Sequence, residues 1–542
     1  MNREARFACN ACRRLKRKCP RELPSCTLCI RLEKRCEYPA RALGSQRQSN
    51  ERAVASDPVA LNPDNQQSGS RSTSSSSSET LLTGPPPIPA SDFPVMYFLD
   101  SETCVEPLTP AEPLIAATSA SSQLTPEAQG LFDAYFATVH PWLPILSKKR
   151  IQRVLLADSS SLSTPLLQCM ALLASPSLVS EDAYHSARDA LARAETTELP
   201  SLSHLQAAIL LCTYEIGHAL YPSAYLRAGH AARVAVMMGL HDRRHAAQLF
   251  GGTRTWTGRE EERRAWWAVF CLDRFVSQGV EGLGLAPGAP EPSPGELLPA
   301  HKAAWDAGAV GFNEPLFAAS FSTSTTLGAF ANTCQAALVL GRVLRHRDEA
   351  RLGGGLAPRF RMAEARQLHG ILVALGTHLG GDGEGVLADQ GTWVALAMCW
   401  SARLILYNMY ACNERYSADH ERSTEEAEMQ KLTLGGIIEV AQATGRFARQ
   451  VLDLMDDANA YDEHTEGSSY YGGIIPSPLV ANTLYAAATE CEWFILEQQD
   501  SDAAVSLREI VQLLQVTAER WQVAGIYLSQ IYKWPGYNSM VS

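Results

Sequence analysis

Six cysteines crowd into residues 9–36 of this 542-residue chain, with the spacing C-x2-C-x6-C-x6-C-x2-C-x6-C. They are Cys9, Cys12, Cys19, Cys26, Cys29 and Cys36. The stretch is an internal repeat, because the segment from Cys9 to Leu15 aligns with the segment from Cys26 to Leu32. A C-x2-C turn that leads into a short helix can place two sulfurs at neighbouring corners of a tetrahedron around zinc. The pattern therefore predicts a small metal-organised unit built from two short helix-loop repeats.

The ligand count favours a shared cluster over the alternatives. A disulfide framework belongs to secreted proteins, and the first residues, MNREARFACNAC, have neither the apolar core nor the cleavage signal of a secretory leader. A RING finger or a zinc ribbon usually includes histidine or wider spacing, whereas residues 1–139 contain no histidine. Because two separate four-ligand sites would need eight ligands, six thiolates complete two sites only if two sulfurs bridge. We therefore expect a binuclear cluster.

Five basic residues stand between the second and third cysteines: Arg13, Arg14, Lys16, Arg17 and Lys18. Residues 1–52 hold 14 Lys and Arg against 5 Asp and Glu, a net charge of +9, which leaves −20 for the other 490 residues because the whole chain carries −11. A basic unit on an acidic body suits a polyanionic partner. The same bases could instead neutralise the thiolate cluster, form a solvated face or act as a nuclear import signal, and the last role is compatible with DNA binding.

Residues 9–36 resemble the fungal binuclear zinc cluster (Zn2Cys6) of transcription factors. All six cysteines fit the family spacing, CRRLKRKC resembles the family's basic run, and Pro24 lies two residues before the fourth cysteine as is common in the family. The resemblance implies two zinc ions per chain, with Cys9 and Cys26 bridging them. It implies that Cys12 and Cys19 complete one zinc site, and that Cys29 and Cys36 complete the other.

The resemblance also implies contacts to double-stranded DNA. Lys18, with Arg17 beside it, matches the lysine that contacts bases in CGG-like triplets, and a helix of this kind fits the major groove, where Lys and Arg donors reach guanine N7 and O6. Arg13, Arg14 and Lys16 are then expected to contact phosphates and set the register. The chain departs from the family at Pro20 and Arg21, where Asp followed by Gly or a basic residue is often found.

Residues 41–124 are predicted to be a disordered linker, because residues 41–92 are rich in Ser, Gln, Asn and Pro. Many family members place a coiled coil here, but no heptad run occurs between 40 and 92, so a homodimer gains no support from this segment. Within the linker, residues 91–107 (SDFPVMYFLDSETCVEP) combine aromatic and acidic residues. They suit an activation segment that docks on a coactivator, or alternatively a plug that folds back onto the body.

The body, residues 125–542, is predicted to be all-α, forming one domain or two closely packed halves. Thr125 and Pro126 have the residue types of a helix cap and a first helical position. Further helices are expected at 203–219, 223–238, 259–278, 328–345, 360–378, 391–412, 433–455, 478–497 and 504–532. The sequences YFATVHPWLPIL, GHAARVAVMMGLH and EERRAWWAVFCLDR resemble the fungal-specific transcription factor domain, most clearly over 130–290.

Several features of the body invite functional roles, but each has a simpler structural interpretation. We expect a helix anchored by buried Trp266 and Trp267 and by an Asp273–Arg274 pair, rather than a ligand pocket. The dispersed histidines, such as those at 140, 230 and 241, are expected to be hydrogen-bonded, and the eight later cysteines to be reduced core residues. The apolar segment 392–412 is interrupted by Arg403 and is expected to be core rather than a membrane span. The acidic run 453–466 is expected to be a surface loop.

The sequence thus favours a zinc-dependent nuclear transcription factor over an enzyme, since hydrolase, metalloprotease, P-loop and dinucleotide motifs are missing. We expect it to bind promoters of RNA polymerase II genes, to work with a coactivator or corepressor, and to control one pathway, such as a secondary-metabolite cluster. The alternative is a protein-interaction scaffold or metabolite sensor whose finger has lost its role in DNA binding. The intact Lys18 and the five-base run argue against that alternative.

Overall fold

The computed structural model describes residues 19–31, 36, 124–157, 164–175, 181–243, 246, 253, 255–279, 285–293, 295–316, 327–351, 358–380, 389–411, 423–462 and 474–537. The chain forms two compact units, residues 1–84 and residues 85–542. Residues 37–123, with the predicted linker and its acidic-aromatic segment 91–107, lie outside the described residues.

Helices account for nearly all the regular structure of the described residues. The first unit contributes α1 (Thr27–Arg31). The second contributes α2 (Pro126–Thr138), α3 (Lys148–Ala157), α4 (Pro165–Ala174), α5 (Glu181–Thr197), α6 (Leu202–Gly217), α7 (Ser223–Met237), α8 (Trp256–Val276), α9 (Lys302–Asp306), α10 (Ala329–Arg351), α11 (Pro358–Gly380), α12 (Gln390–Ala411), α13 (Thr424–Asp462), α14 (Pro478–Gln498), α15 (Ser501–Ala518) and α16 (Gln522–Ile531). Extended backbone pairs at the isolated antiparallel bridge between Leu297 and Pro315. The predicted all-α fold is confirmed.

The start of α2 confirms the predicted cap. The Oγ1 atom of Thr125 accepts a hydrogen bond from the main-chain N–H of Ala128 at 3.3 Å, and Pro126 occupies the first helical position. Proline suits this position because its missing N–H would have had no partner in the first turn. The helix then buries Tyr135 and Phe136 in the core.

Two of the sequence-based expectations for the C-terminal half are wrong. The helix expected at 504–532 is broken after Ala518, because the indole of Trp521 donates to the carbonyl of Pro476 at 2.8 Å and pulls the turn into the core. The acidic run 453–466 was expected to be a surface loop, but its residues up to Asp462 belong to helix α13. Arg449 and Asp453 lie one helical turn apart, and Arg449 Nε donates to Asp453 Oδ1 at 3.1 Å. Such a pair stabilises the helix. Helices α3, α4 and α5 were not expected.

One continuous hydrophobic core runs through the second unit. In its first half, α6 packs against α4, α7 and α8, and α8 packs in turn against α10. In its second half, α12 packs against α10, α11, α13 and α14. Helix α12 corresponds to the apolar segment 392–412, and its Trp393 and Tyr407 are fully buried, so the prediction of a core helix is confirmed. No helix among the described residues has both the length and the apolarity that crossing a bilayer requires.

Candidate metal centre

The second half of the cysteine repeat forms a turn that enters a short helix. Helix α1 begins immediately after Cys26, and the Ile30 N–H donates to the Cys26 carbonyl at 3.1 Å. The carboxylate of Glu22 accepts a hydrogen bond from the Thr27 N–H at 2.8 Å, which satisfies one of the open donors of the first turn. This geometry is the predicted C-x2-C turn leading into a helix.

Three cysteine sulfurs converge at this turn. The Sγ atoms of Cys26, Cys29 and Cys36 all lie within 4.8 Å of one another. Cys26 and Cys29 are buried and Cys36 is half-buried. With Zn–S bonds of about 2.3 Å, the sulfurs of a tetrahedral site lie about 3.8 Å apart. The three sulfurs are therefore close enough to occupy three corners of one zinc site after small adjustments.

Cys19 belongs to the same buried cluster but not to the converging trio. It packs with Cys26 and Cys29 and is 9% exposed. The remaining predicted ligands, Cys9 and Cys12, lie outside the described residues. So do the predicted DNA-contacting residues Lys18, Arg17, Arg13, Arg14 and Lys16.

The donor set fits zinc. All the converging atoms are sulfurs, and thiolate sulfur is a preferred ligand of structural zinc. The Cys26 N–H also donates to Cys36 Sγ at 3.3 Å, and hydrogen bonds of this kind orient a metal ligand. Because a fourth ligand is needed for a tetrahedron, the trio alone does not complete a site.

The loop between Cys19 and Cys26 carries the departure from the family pattern. Arg21 has a φ angle of 66°, in the left-handed region that favours glycine. Glycine, one of the residues often found after the third cysteine in the family, would adopt this conformation without strain. Arg21 therefore adopts a left-handed backbone conformation that is unfavourable for a residue with a Cβ atom.

Helix α8 in the second unit confirms the structural interpretation of its tryptophans and its Asp–Arg pair. Trp266 and Trp267 are 0% exposed. Arg274 donates to the Asp273 carboxylate at 2.6 Å, and both side chains are buried. The segment is therefore packed against its neighbours rather than arranged around a ligand pocket.

A polar network at the start of α8 was not predicted from the sequence. The Glu261 carboxylate accepts hydrogen bonds from the Ser147 N–H, from Arg150 and from Gln206, at 2.8 to 3.1 Å. Glu260 lies beside it and bonds Arg264 at 2.9 Å. A run of three glutamates before two arginines was the available signal, but a surface helix shows the same pattern.

The prediction of hydrogen-bonded histidines is confirmed for His140 and His230 but not for His241, whose buried Nδ1 has no hydrogen-bond partner among the described residues. The ring of His140 is hydrogen-bonded to Asp306 at 2.9 Å and that of His230 to Glu195 at 2.8 Å. His241 packs edge-on against Trp266. The later cysteines are buried and unbridged at the six positions the structure describes, which are Cys169, Cys212, Cys271, Cys334, Cys399 and Cys491.

Two families match this chain. Residues 7–45 match the fungal Zn(2)-Cys(6) binuclear cluster domain, and residues 132–280 match the fungal specific transcription factor domain. No solved structure matches.

Curated relatives are named as transcription factors. Transcription factor BOA15 of Botryotinia fuckeliana (strain B05.10) is 41% identical over 141 residues, which cover 24% of this chain and 76% of that protein. The citrinin biosynthesis transcriptional activator mrl3 of Monascus ruber is 25% identical over 310 residues, covering 50% of this chain and 59% of that protein. The tropolone cluster transcription factor tropK of Talaromyces stipitatus (strain ATCC 10500 / CBS 375.48 / QM 6759 / NRRL 1006) is 31% identical over 84 residues, covering 16% of this chain and 15% of that protein. With both domains matched and most of one relative covered, the chain belongs to the fungal transcription factors that carry a Zn(2)-Cys(6) binuclear cluster domain and a fungal specific transcription factor domain.

Proposed function

We propose that this transcription factor binds CGG-like triplets in promoters of RNA polymerase II genes and acts in the nucleus as a regulator of one pathway. The observation that carries the proposal is the convergence of Cys26, Cys29 and Cys36, which lies within the residues that match the cluster domain. The pathway is proposed from relatives named for citrinin biosynthesis and for a tropolone cluster. A secondary-metabolite gene cluster is therefore the proposed target.

Two zinc ions would hold the cluster together. Cys29 and Cys36 would complete one site and Cys12 and Cys19 the other, while Cys9 and Cys26 bridge the two. The convergence of Cys26 with Cys29 and Cys36 supports the first of these assignments. In small units of this kind zinc supplies the folding free energy, roughly 10–16 kcal/mol per structural ion in comparable peptides.

Base recognition would come from the end of the first helix of the repeat. Lys18 and Arg17 would donate to guanine in the major groove, while Arg13, Arg14 and Lys16 would contact phosphates. The net charge of +9 over residues 1–52 supports this assignment, because it places the chain's excess positive charge around the cluster.

The regulator would need further partners. Residues 91–107 would dock on a coactivator or a corepressor through their aromatic side chains. Since residues 40–92 show no heptad run, the chain would bind DNA either as a monomer or as a homodimer formed through the helical body.

The proposal is tested by selecting binding sites from a randomised DNA pool with the zinc-loaded full chain. Lys18→Ala and Arg35→Ala run in parallel, because Arg35 precedes the last cysteine of the second repeat as Lys18 precedes the last cysteine of the first. We expect CGG-containing sites from the wild type and from Arg35→Ala, and none from Lys18→Ala at unchanged zinc content. If the zinc-loaded wild type enriches no sequence, the chain is not a sequence-specific DNA-binding protein, and the scaffold or sensor hypothesis takes its place.

A further inference from the structure

A cavity of about 370 Å³ lies in the second unit, between α13, residues 474–476 and the end of α15. Pockets for small organic molecules span roughly 300–1,000 Å³. The apolar part of the lining consists of Leu452, Met455, Ile474, Ile475, Pro476 and Val516. Two exposed acidic side chains, Asp456 and Glu519, also line it, so the cavity reaches the surface.

The walls of this cavity are fixed by buried contacts. The indole N–H of Trp521 donates to the Pro476 carbonyl at 2.8 Å, and Trp521 is 2% exposed. Thr517, another lining residue, donates its hydroxyl to the Leu513 carbonyl at 2.7 Å. Because these contacts tie residues 474–476 to the turn after α15, the cavity is preformed and does not need a ligand to assemble it.

Arg520 is the cation in the lining, and it is buried without a carboxylate partner among the described residues. Its side chain is 8% exposed. Nη2 donates to the Leu173 carbonyl and the guanidinium lies 4.9 Å from the Trp521 ring centroid. Nη1 has no hydrogen-bond partner in the part of the chain that the structure describes.

This situation differs from that of the other buried arginines. Each of them donates to a carboxylate: Arg264 at 2.9 Å, Arg274 at 2.6 Å, Arg347 at 2.9 Å and Arg403 at 3.0 Å. Buried cations in proteins are normally paired, because an unpaired charge loses its hydration without compensation. Burial accordingly lowers the pKa of Arg520 to about 10.

We propose that this cavity binds an organic monoanion, a carboxylic acid whose apolar body fills the cavity and whose carboxylate is bound by Arg520. The apolar lining accommodates an aromatic or aliphatic body, and a carboxylate supplies the counter-charge that the arginine lacks. Asp456 and Glu519 repel every anion, but they repel a polyanion more strongly than a monoanion, so a phosphate or a dicarboxylate is disfavoured relative to a monocarboxylate. The site does not depend on DNA recognition, so its test is independent of the proposed function.

The test is calorimetric titration of the full zinc-loaded chain with 2-naphthoate, and with 2-naphthalenemethanol as a neutral molecule of similar size. Three variants accompany the wild type. Arg520→Met removes the charge, Val516→Phe fills the cavity, and Arg449→Met changes an exposed arginine on α13, away from the cavity lining. We expect saturable binding of naphthoate at least tenfold tighter than of the alcohol. We expect Arg520→Met and Val516→Phe to weaken naphthoate binding at least tenfold, and Arg449→Met to leave it unchanged.

The comparison of acid with alcohol on the wild type tests the charge even if Arg520→Met fails to fold. Val516→Phe tests the location with the arginine intact. Equal affinity for the acid and the alcohol overturns the proposal. So does naphthoate binding that persists in folded Arg520→Met or in Val516→Phe, or the lack of any binding up to the solubility of the probe.

Discussion

The main-chain N–H of Cys26 donates a hydrogen bond to Cys36 Sγ at 3.3 Å, across ten residues of chain. The contact joins the first cysteine of the second repeat to the last. The Sγ atoms of Cys26, Cys29 and Cys36 all lie within 4.8 Å of one another in this half of the repeat. Because a ligand held by a second contact binds metal with less reorganisation, the backbone of this half is arranged for the metal site.

The first prediction concerns zinc content. If Cys26 bridges two ions and Cys36 binds only one, Cys26→Ser should leave less than one zinc per chain, whereas Cys36→Ser should leave about one, against two in the wild type. Metal analysis of the desalted protein measures this directly. Cys491→Ser is the control, since Cys491 is buried in α14 of the second unit and should not change the zinc content. Equal zinc content in the two cluster variants would contradict the bridging assignment.

The second prediction concerns the loop that departs from the family pattern. An L-residue in the left-handed conformation of Arg21 costs about 1 kcal/mol, which glycine avoids. Arg21→Gly should therefore tighten zinc binding by about fivefold in a chelator competition. Arg31→Gly, in the last turn of α1, should weaken binding by a similar factor, because glycine disfavours the helix. The opposite order of the two variants would show that the turn is not under strain.

The cysteine spacing carried most of what could be predicted about the site. The turn at Cys26 and helix α1, which begins immediately after it, are local in the chain, so spacing alone located them. The all-α body was likewise predictable from apolar periodicity, and the cap at Thr125 from residue types. These features depend on neighbours within a few residues.

The features that could not be predicted depend on distant parts of the chain. The break after Ala518 arises because Trp521 bonds Pro476, 45 residues away. The Glu261 network joins α8 to Ser147 across 114 residues. Arg520 is unusual because no carboxylate from another helix reaches it within the part of the chain that the structure describes. Sequence patterns indicate which face of a helix is apolar. They do not indicate which polar groups from distant parts of the chain will contact that helix.

The third prediction concerns the salt dependence of DNA binding. Six phosphate contacts would give a slope near −5 when the logarithm of the binding constant is plotted against the logarithm of the salt concentration, because each contact releases counterions. Arg13, Arg14 and Lys16 of two chains would supply the six contacts, so Arg13→Ala removes two of them and should make the slope shallower by about 2, while weakening binding to all DNA sequences alike. Lys18→Ala should instead reduce the difference between specific and random DNA. A slope near zero would contradict the phosphate assignments.

The fourth prediction concerns the buried ion pair at the start of α8. Glu260 accepts from Arg264 Nε at 2.9 Å and from the Ala300 N–H at 2.8 Å, and both charged side chains are 0% exposed. Glu260→Gln should lower the free energy of unfolding by about 3 kcal/mol, because it leaves a buried arginine without its counter-charge. The midpoint of urea denaturation measures the loss. Asp453→Asn, in an exposed pair with Arg449, should leave the midpoint unchanged.

The fifth prediction contrasts two glycines in α13. A Cβ atom added at Gly445 would lie 2.7 Å from the Cα atom of Ser506 on α15, so Gly445→Ala must push the two helices apart. A Cβ added at Gly435 meets nothing within 4 Å, so Gly435→Ala should raise the free energy of unfolding by about 1 kcal/mol through helix propensity alone. Gly445→Ala should lower it by about 1–3 kcal/mol, the usual cost of overpacking. Thermal unfolding of the two single variants measures the direction of the change in the free energy of unfolding for each. Equal stabilisation by both would show that α13 and α15 do not cross as closely as Gly445 and Ser506 indicate.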